Sequence, residues 1–209
     1  FQNYMKKEVF APLGMDQSTF DISRKPAIKQ AQVFKRSGEV RPMNKFTALA
    51  AASLFSSTSD LAKFMKAHIS QNPVLSQESL DQMSRAETFI NDTGIYGLGP
   101  HLYSQKDKNS KIIGHDGSGN DAINTAARID LFSKNGIIIL ETGHPNLAST
   151  LADEWMFLKA GIADYVVMQR NIPYLLWLLG IGYVLIITMS ILIIRNKNKA
   201  RKTNLKQIG

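Results

Sequence analysis

The chain has 209 residues, with 25 Lys+Arg, 17 Asp+Glu, 44% apolar residues and no Cys. That balance excludes a wholly disordered chain and a collagen-like repeat, and the lack of Cys excludes a disulfide scaffold, a thiol nucleophile and any thiolate metal site. The net charge of +8 is localised: Arg195, Lys197, Lys199, Arg201, Lys202 and Lys206 stand in the last 15 residues with no acid among them, and subtracting those six leaves +2 on residues 1–194.

Residues 1–11 space Phe1, Tyr4, Met5, Val9 and Phe10 as the tail of an amphipathic helix does. Pro12 stops it, and Leu13-Gly14-Met15 reads as a turn. Residues 21–48 are polar, with Lys or Arg at 24, 25, 29, 35, 36, 41 and 45, and read as a surface excursion with little core of its own. Ser57-Thr58-Ser59-Asp60 opens a helix. Ser57 stands as the N-cap, and Asp60 takes the capping-box position at the positive end of the helix dipole. Leu61, Phe64, Met65 and His68 form its stripe, down to Asn72-Pro73. A second short helix runs from Ser76 through Met83, capped by Ser76.

From Tyr96 the period changes to two. Tyr96 to Tyr103 reads as one strand with an edge or bulge at Pro100, and Gln105 to Ser110 as a polar turn. Lys111 to His115 is a second strand, Ala122 to Phe132 a third and Ile137 to Leu140 a fourth. Asn135-Gly136 is a hairpin signal, because both positions tolerate positive φ. Residues 147–160 form a helix in which Leu147, Leu151, Trp155 and Leu158 share a face. Strands in series followed by a helix that covers them define an α+β arrangement, an antiparallel sheet flanked by helices.

Residues 173–194 carry no charge and, at about 1.5 Å per residue, make a helix of roughly 33 Å, enough to cross a bilayer. Tyr174 and Trp177 stand near its first boundary. The organisation expected is a domain over 1–165, a linker at 166–172, one transmembrane helix at 173–194 and a basic tail at 195–209. The positive-inside rule puts that tail in the cytoplasm and the domain outside, with the lipid bilayer as partner through 173–194. A basic tail can bind phosphates, but one that follows such a span reads as membrane-proximal, so no nucleic-acid partner is expected. This topology requires a signal peptide, which is expected upstream of Phe1.

The four His residues at 68, 101, 115 and 144 make no i,i+4 pair, and there is no phosphate loop, so neither metal nor cofactor is expected. His68 reads as a helix-face residue, His101 as a structural strand residue and His144 as a loop residue. Gly114-His115-Asp116-Gly117-Ser118-Gly119 differs: glycines and small residues surround a His at a strand end. Glycines there let a substrate backbone approach, and a strand edge with free N–H donors holds an acyl oxyanion. Read alone, the segment is first of all a plain turn with a surface His.

Motif order separates these readings. Phe10-Ala11-Pro12-Leu13-Gly14-Met15 with Ser18-Thr19, then Ser56 to Met65, then Tyr96-Gly97-Leu98-Gly99, then Gly114-His115-Asp116-Gly117 follow one another. In this order they resemble the serine β-lactamase-related family: class C β-lactamases, D-Ala-D-Ala carboxypeptidases (penicillin-binding proteins) and their esterase and peptidase relatives. The resemblance spans roughly residues 1–160, the C-terminal part of such a domain. It implies a β-lactamase/transpeptidase-like fold and a serine that is acylated and then released by water. His115-Asp116-Gly117 matches the motif that lines the cleft. Catalytic roles therefore fall to His115, which polarises the site or orients the substrate, to Gly117, and to Ser118, whose backbone N–H supplies an oxyanion donor. Gly114 and Asp116 are expected at the substrate.

Two departures follow. No Ser has Lys three residues on, and no Tyr has Asn two residues on; the family's Ser-x-x-Lys and Tyr-x-Asn motifs precede Pro12 and are expected upstream of Phe1. Position 116 is Asp where Thr, Ser or Gly is usual, and a carboxylate there is expected to repel a carboxylate-bearing substrate by about 1 kcal/mol at close range. An imidazole in place of Lys at 115 points the same way. The function expected is a membrane-anchored extracytoplasmic serine hydrolase acting through an acyl-enzyme on a small-molecule or peptide amide or ester, with this stretch inert alone. A non-catalytic envelope binding or scaffold protein on the same fold is the other reading open to the sequence.

Overall fold

The computed structural model describes residues 1–21, 30–42, 47–90, 92–104, 111–119, 122–161 and 165–207. Two units result, Phe1–Asp164 and Tyr165–Gly209. The expected turn at Gln105–Ser110, and the basic residues at 24, 25, 29 and 45, lie outside the described residues.

The first unit opens with α1 (Gln2–Tyr4), which continues as a π-helix over Met5–Phe10, so the expected amphipathic helix is present in a widened form. Its Phe10 packs with Met15 and Phe20 in a buried cluster. The excursion at 21–48 contributes more than expected. It contains the hairpin β1 (Val33–Phe34) and β2 (Val40–Arg41), in which Val33 is buried and Phe34 N–H donates to Thr142 Oγ1 at 3.4 Å. The short α2 (Leu49–Ala52) buries nothing.

α3 (Thr58–Lys66) starts where its cap dictates: Ser57 Oγ accepts from Asp60 N–H at 3.2 Å. The capping box does not close reciprocally. Asp60, fully buried, instead accepts from Gln17 N–H at 2.7 Å and Ser18 Oγ–H at 2.9 Å, with Lys63 Nζ at 3.1 Å, and so ties the 17–18 segment to the helix. The helix ends at Lys66, short of Asn72, in a tightened turn where His68 N–H reaches Met65 O. α4 (Gln77–Met83) is capped by Ser76 as expected.

The sheet holds six antiparallel strands in simple sequential order: β3 (Thr88–Ile90), β4 (Thr93–Tyr96), β5 (His101–Ser104), β6 (Ile112–Gly119), β7 (Ile123–Asp130) and β8 (Gly136–Thr142). Four were expected. The single strand expected at 96–103 is two, because Gly97–Pro100 folds into a turn with Gly99 at φ +112, a backbone angle that glycine tolerates. The turn between β7 and β8 also differs from expectation: Lys134, at φ 60, takes the left-handed position, not Asn135 or Gly136. A Cβ at Gly136 would lie 3.0 Å from Arg128 O and 2.9 Å from Met65 Cε, the movable end of a side chain.

Each face of the sheet has its own filling. Met65 of α3 joins Leu102, Ile113 and Ile129 in the main buried cluster, with Ile138 against it. On the other face lies α5 (Leu147–Ala160), ended by Gly161 in the left-handed conformation. Its buried stripe is Ala148, Ala152 and Met156, while Leu147, Leu151 and Leu158 are exposed. The face expected from the large residues is therefore wrong. Two alanines let the helix axis approach Ala126 closely, which leucines would prevent. Asn124 of β7 caps this helix across space: its Oδ1 accepts from Ser149 N–H at 2.8 Å, and its Nδ2 donates to Ser149 Oγ at 3.0 Å.

The second unit is one helix, α6 (Tyr165–Gln207), which takes in residues 166–172 and Pro173. Within it Asn171–Asn198 has a mean hydropathy of 2.4 and is long and apolar enough to cross a bilayer.

Candidate active site

β6 carries the Gly-His-Asp-Gly-Ser-Gly run inside a strand, not at a strand end as expected. All eight residues pair with β7, from Ile112↔Asp130 to Gly119↔Ile123. On its other side β6 pairs with β5 only through Ile112–Gly114. Among the described residues, 115–119 is therefore laddered on one side alone, and alternate backbone N–H groups of that stretch face outward. Gly114 is required by the ladder itself: a Cβ there would collide with Ala127 O and stand 2.9 Å from Arg128 Cα. A Cβ at Gly117 would meet Thr125 Oγ1.

Neighbouring strand residues point to opposite faces, so His115 and Asp116 diverge. His115 is exposed. Its Nε2 lies 2.9 Å from Tyr96 Oη, its Nδ1 2.6 Å from Asp116 O, and its ring packs edge-on to His101, centroids 4.6 Å apart. His115 and Gly114 border an apolar cavity of about 290 Å³, walled on its far side by Phe64 and Met65 of α3 and by His68. Burial holds the His68 imidazole below its ordinary value, partly offset by its bond to Phe64 O.

Asp116 turns toward α5. Its carboxylate meets Arg128 Nη2 at 3.1 Å and Tyr103 Oη–H at 3.4 Å. Arg128 is 1% exposed, stacks at 4.2 Å over the Tyr103 ring and contacts Asp153 of α5. Burial works against its charge, but Tyr103, Asp116 and Asp153 outweigh it and hold the guanidinium above its ordinary value. Asp116 and Asp153 thus share the one guanidinium of Arg128, and the Asp116 side chain remains 31% exposed.

The structure brings His115, Gly114 and the exposed Ser118 together along one half-open strand. Backbone amides lie in the sheet plane, so a donor role for Ser118 N–H does not depend on where its side chain points. His144 is a loop residue, its Nδ1 accepting from Asn146 N–H at 3.2 Å. Tyr96, His101 and Arg128 were missed in the sequence. The turn at 97–100 sets Tyr96 opposite His101, and His101 opposite Gly114, pairings across strands that no local spacing announces. Among the described residues no group of three or more His, Cys, Asp or Glu is placed to hold a metal ion.

A sequential antiparallel sheet, helix-covered on its α5 face and with a half-open strand of this motif beside a cavity, defines a β-lactamase-like fold. The sequence model described as Beta-lactamase matches residues 1–158, and the chain belongs to that family. A crystal structure of a beta-lactamase/D-alanine carboxypeptidase from Pseudomonas syringae is similar in fold, with a TM-score of 0.62 and 18% identity, over 76% of this chain and 53% of that one. The chain thus spans about half the length of that protein. No curated protein matches.

Proposed function

We propose that this chain is part of a membrane-anchored, extracytoplasmic serine hydrolase that opens an amide or ester through an acyl-enzyme. Family membership supports the hydrolase class. The observation that carries the finer reading is His115 at the half-open stretch of β6, bordering a cavity. In this reading the outward N–H of Ser118 stabilises the oxyanion, Gly117 keeps the strand surface low enough for the acyl group, and His115 orients the substrate. The attacking serine and its base come from polypeptide outside these 209 residues, since no Ser-x-x-Lys or Tyr-x-Asn occurs within them. Arg128 is shared between Asp116 and Asp153, so the cluster keeps a net negative charge and the reading favours a substrate without a carboxylate near 116.

The domain of residues 1–165 is held at a membrane by 173–194, joined through 166–172, with 195–209 cytoplasmic. The apolar stretch Asn171–Asn198 supports the span, and the six basic residues beyond it support the orientation. Labelling the full-length protein with an activated-serine probe tests the proposal. A covalent adduct at one serine is expected; no adduct leaves the scaffold reading and overturns this one.

A further inference from the structure

We propose that Tyr96 is a positioning residue for His115, an assignment that rests on the hydrolase reading above. The imidazole at 115 has both ring nitrogens engaged. Nδ1 lies 2.6 Å from Asp116 O, and a carbonyl oxygen only accepts, so Nδ1 carries the proton. In the neutral ring Nε2 then presents a lone pair, and the Tyr96 hydroxyl 2.9 Å away donates to it. The less common Nδ1–H tautomer is thereby selected, and the ring plane is fixed at two points.

That second point is anchored independently of β6. Tyr96 O accepts from Glu87 N–H at 2.8 Å, and Leu98 N–H donates to Met83 O at 3.0 Å. Gly97 sits so tightly on the end of α4 that a Cβ would collide with Met83 O and lie 3.0 Å from Arg85 O. The phenol is thus delivered from a braced turn, whereas His115 stands exposed on a stretch of β6 with a single strand partner among the described residues. An exposed imidazole on such a strand samples several rotamers unless something holds it; the Tyr96 hydroxyl and the edge-on ring of His101 hold this one. The role is one of orientation: Tyr96 acts through His115, not on the substrate.

Two measurements on the full-length protein test this. In the first, ¹⁵N-histidine shifts report the tautomer of His115, assigned by the resonances that vanish in His115→Gln. A protonated Nδ1 with an unprotonated, hydrogen-bonded Nε2 is expected, the Nε2 signal moving in Tyr96→Phe; an Nε2–H tautomer overturns the proposal. In the second, Tyr96→Phe is expected to lower kcat about tenfold with KM within twofold, the worth of one ordinary hydrogen bond, and to add nothing in a His115→Ala background. An unchanged kcat, or a loss that adds fully to that of His115→Ala, overturns it. Should Tyr96→Phe not fold, the wild-type tautomer decides alone. Absence of any hydrolysis by the wild type defeats the hydrolase reading and leaves the tautomer measurement to judge the pairing.

Discussion

Arg128 and Asp116 form an ion pair at 3.1 Å on the α5 face of the sheet, next to the residue that borders the cavity on the other. Strand periodicity alone produces this division of labour between 115 and 116. One residue of the His-Asp-Gly motif meets the site, and the next fastens the strand to Arg128 and, through it, to Asp153 of α5.

The two ends of that fastening differ in burial, so their removal has different costs. Arg128→Met leaves two carboxylates beside an apolar chain and is expected to destabilise by about 3–5 kcal/mol, as removal of one partner from a buried pair does. Asp116→Asn, at a side chain 31% exposed, keeps the Arg128–Asp153 contact and is expected to cost about 1 kcal/mol. Urea denaturation of the two variants checks the order; equal costs contradict it.

Asp60 is the corresponding hub at the start of α3. Asp60→Ala takes the acceptor from the Gln17 amide and leaves the Ser18 hydroxyl only its Ser56 Oγ partner, for an expected loss of about 2 kcal/mol. Ser57→Ala removes only the cap, for about 1 kcal/mol. Thermal unfolding of both distinguishes a buried tie from a plain N-cap.

How far these features were legible depends on whether their cause is local. Ser57 and Ser76 declare their helices because a cap bonds within its own turn. The β7–β8 hairpin and the strands around it follow from apolar period. Tyr96 to Tyr103 misled because a turn of glycine and proline interrupts an otherwise strand-like run. The buried face of α5 is not announced by its large residues, because close approach to Ala126 selects Ala148 and Ala152. The Arg128–Asp116 and Tyr96–His115 pairs bridge different strands, and no local spacing announces them. His115 stands out in the sequence as a candidate because its glycine neighbours are sequence-local.

Gly114→Ala forces a Cβ into the backbone of Ala127 and Arg128, neither of which can swing aside. An expected loss of about 1–3 kcal/mol follows, the usual cost of overpacking, with slower exchange protection lost first along 112–119. Hydrogen exchange by mass spectrometry reads this directly. Protection of β6 unchanged from wild type contradicts the packing role.

His68 sets a pH dependence. Its folded value lies below the unfolded one, so its contribution is fully present above the ordinary imidazole range near pH 6.5 and is lost as pH falls through the folded value. Unfolding free energy of the wild type is expected to decline as pH falls through that window, and His68→Gln to decline less. Parallel curves contradict the assignment.

The most direct measurement on the central claim is the turnover of a chromogenic ester by full-length His115→Ala, each preparation normalised to its labelled serine. A kcat about 100-fold below wild type, the cost of a lost positioning group, with the melting temperature within a few degrees, is the predicted result. An unaltered kcat in the folded variant contradicts the placement of the β6 imidazole at the reacting centre.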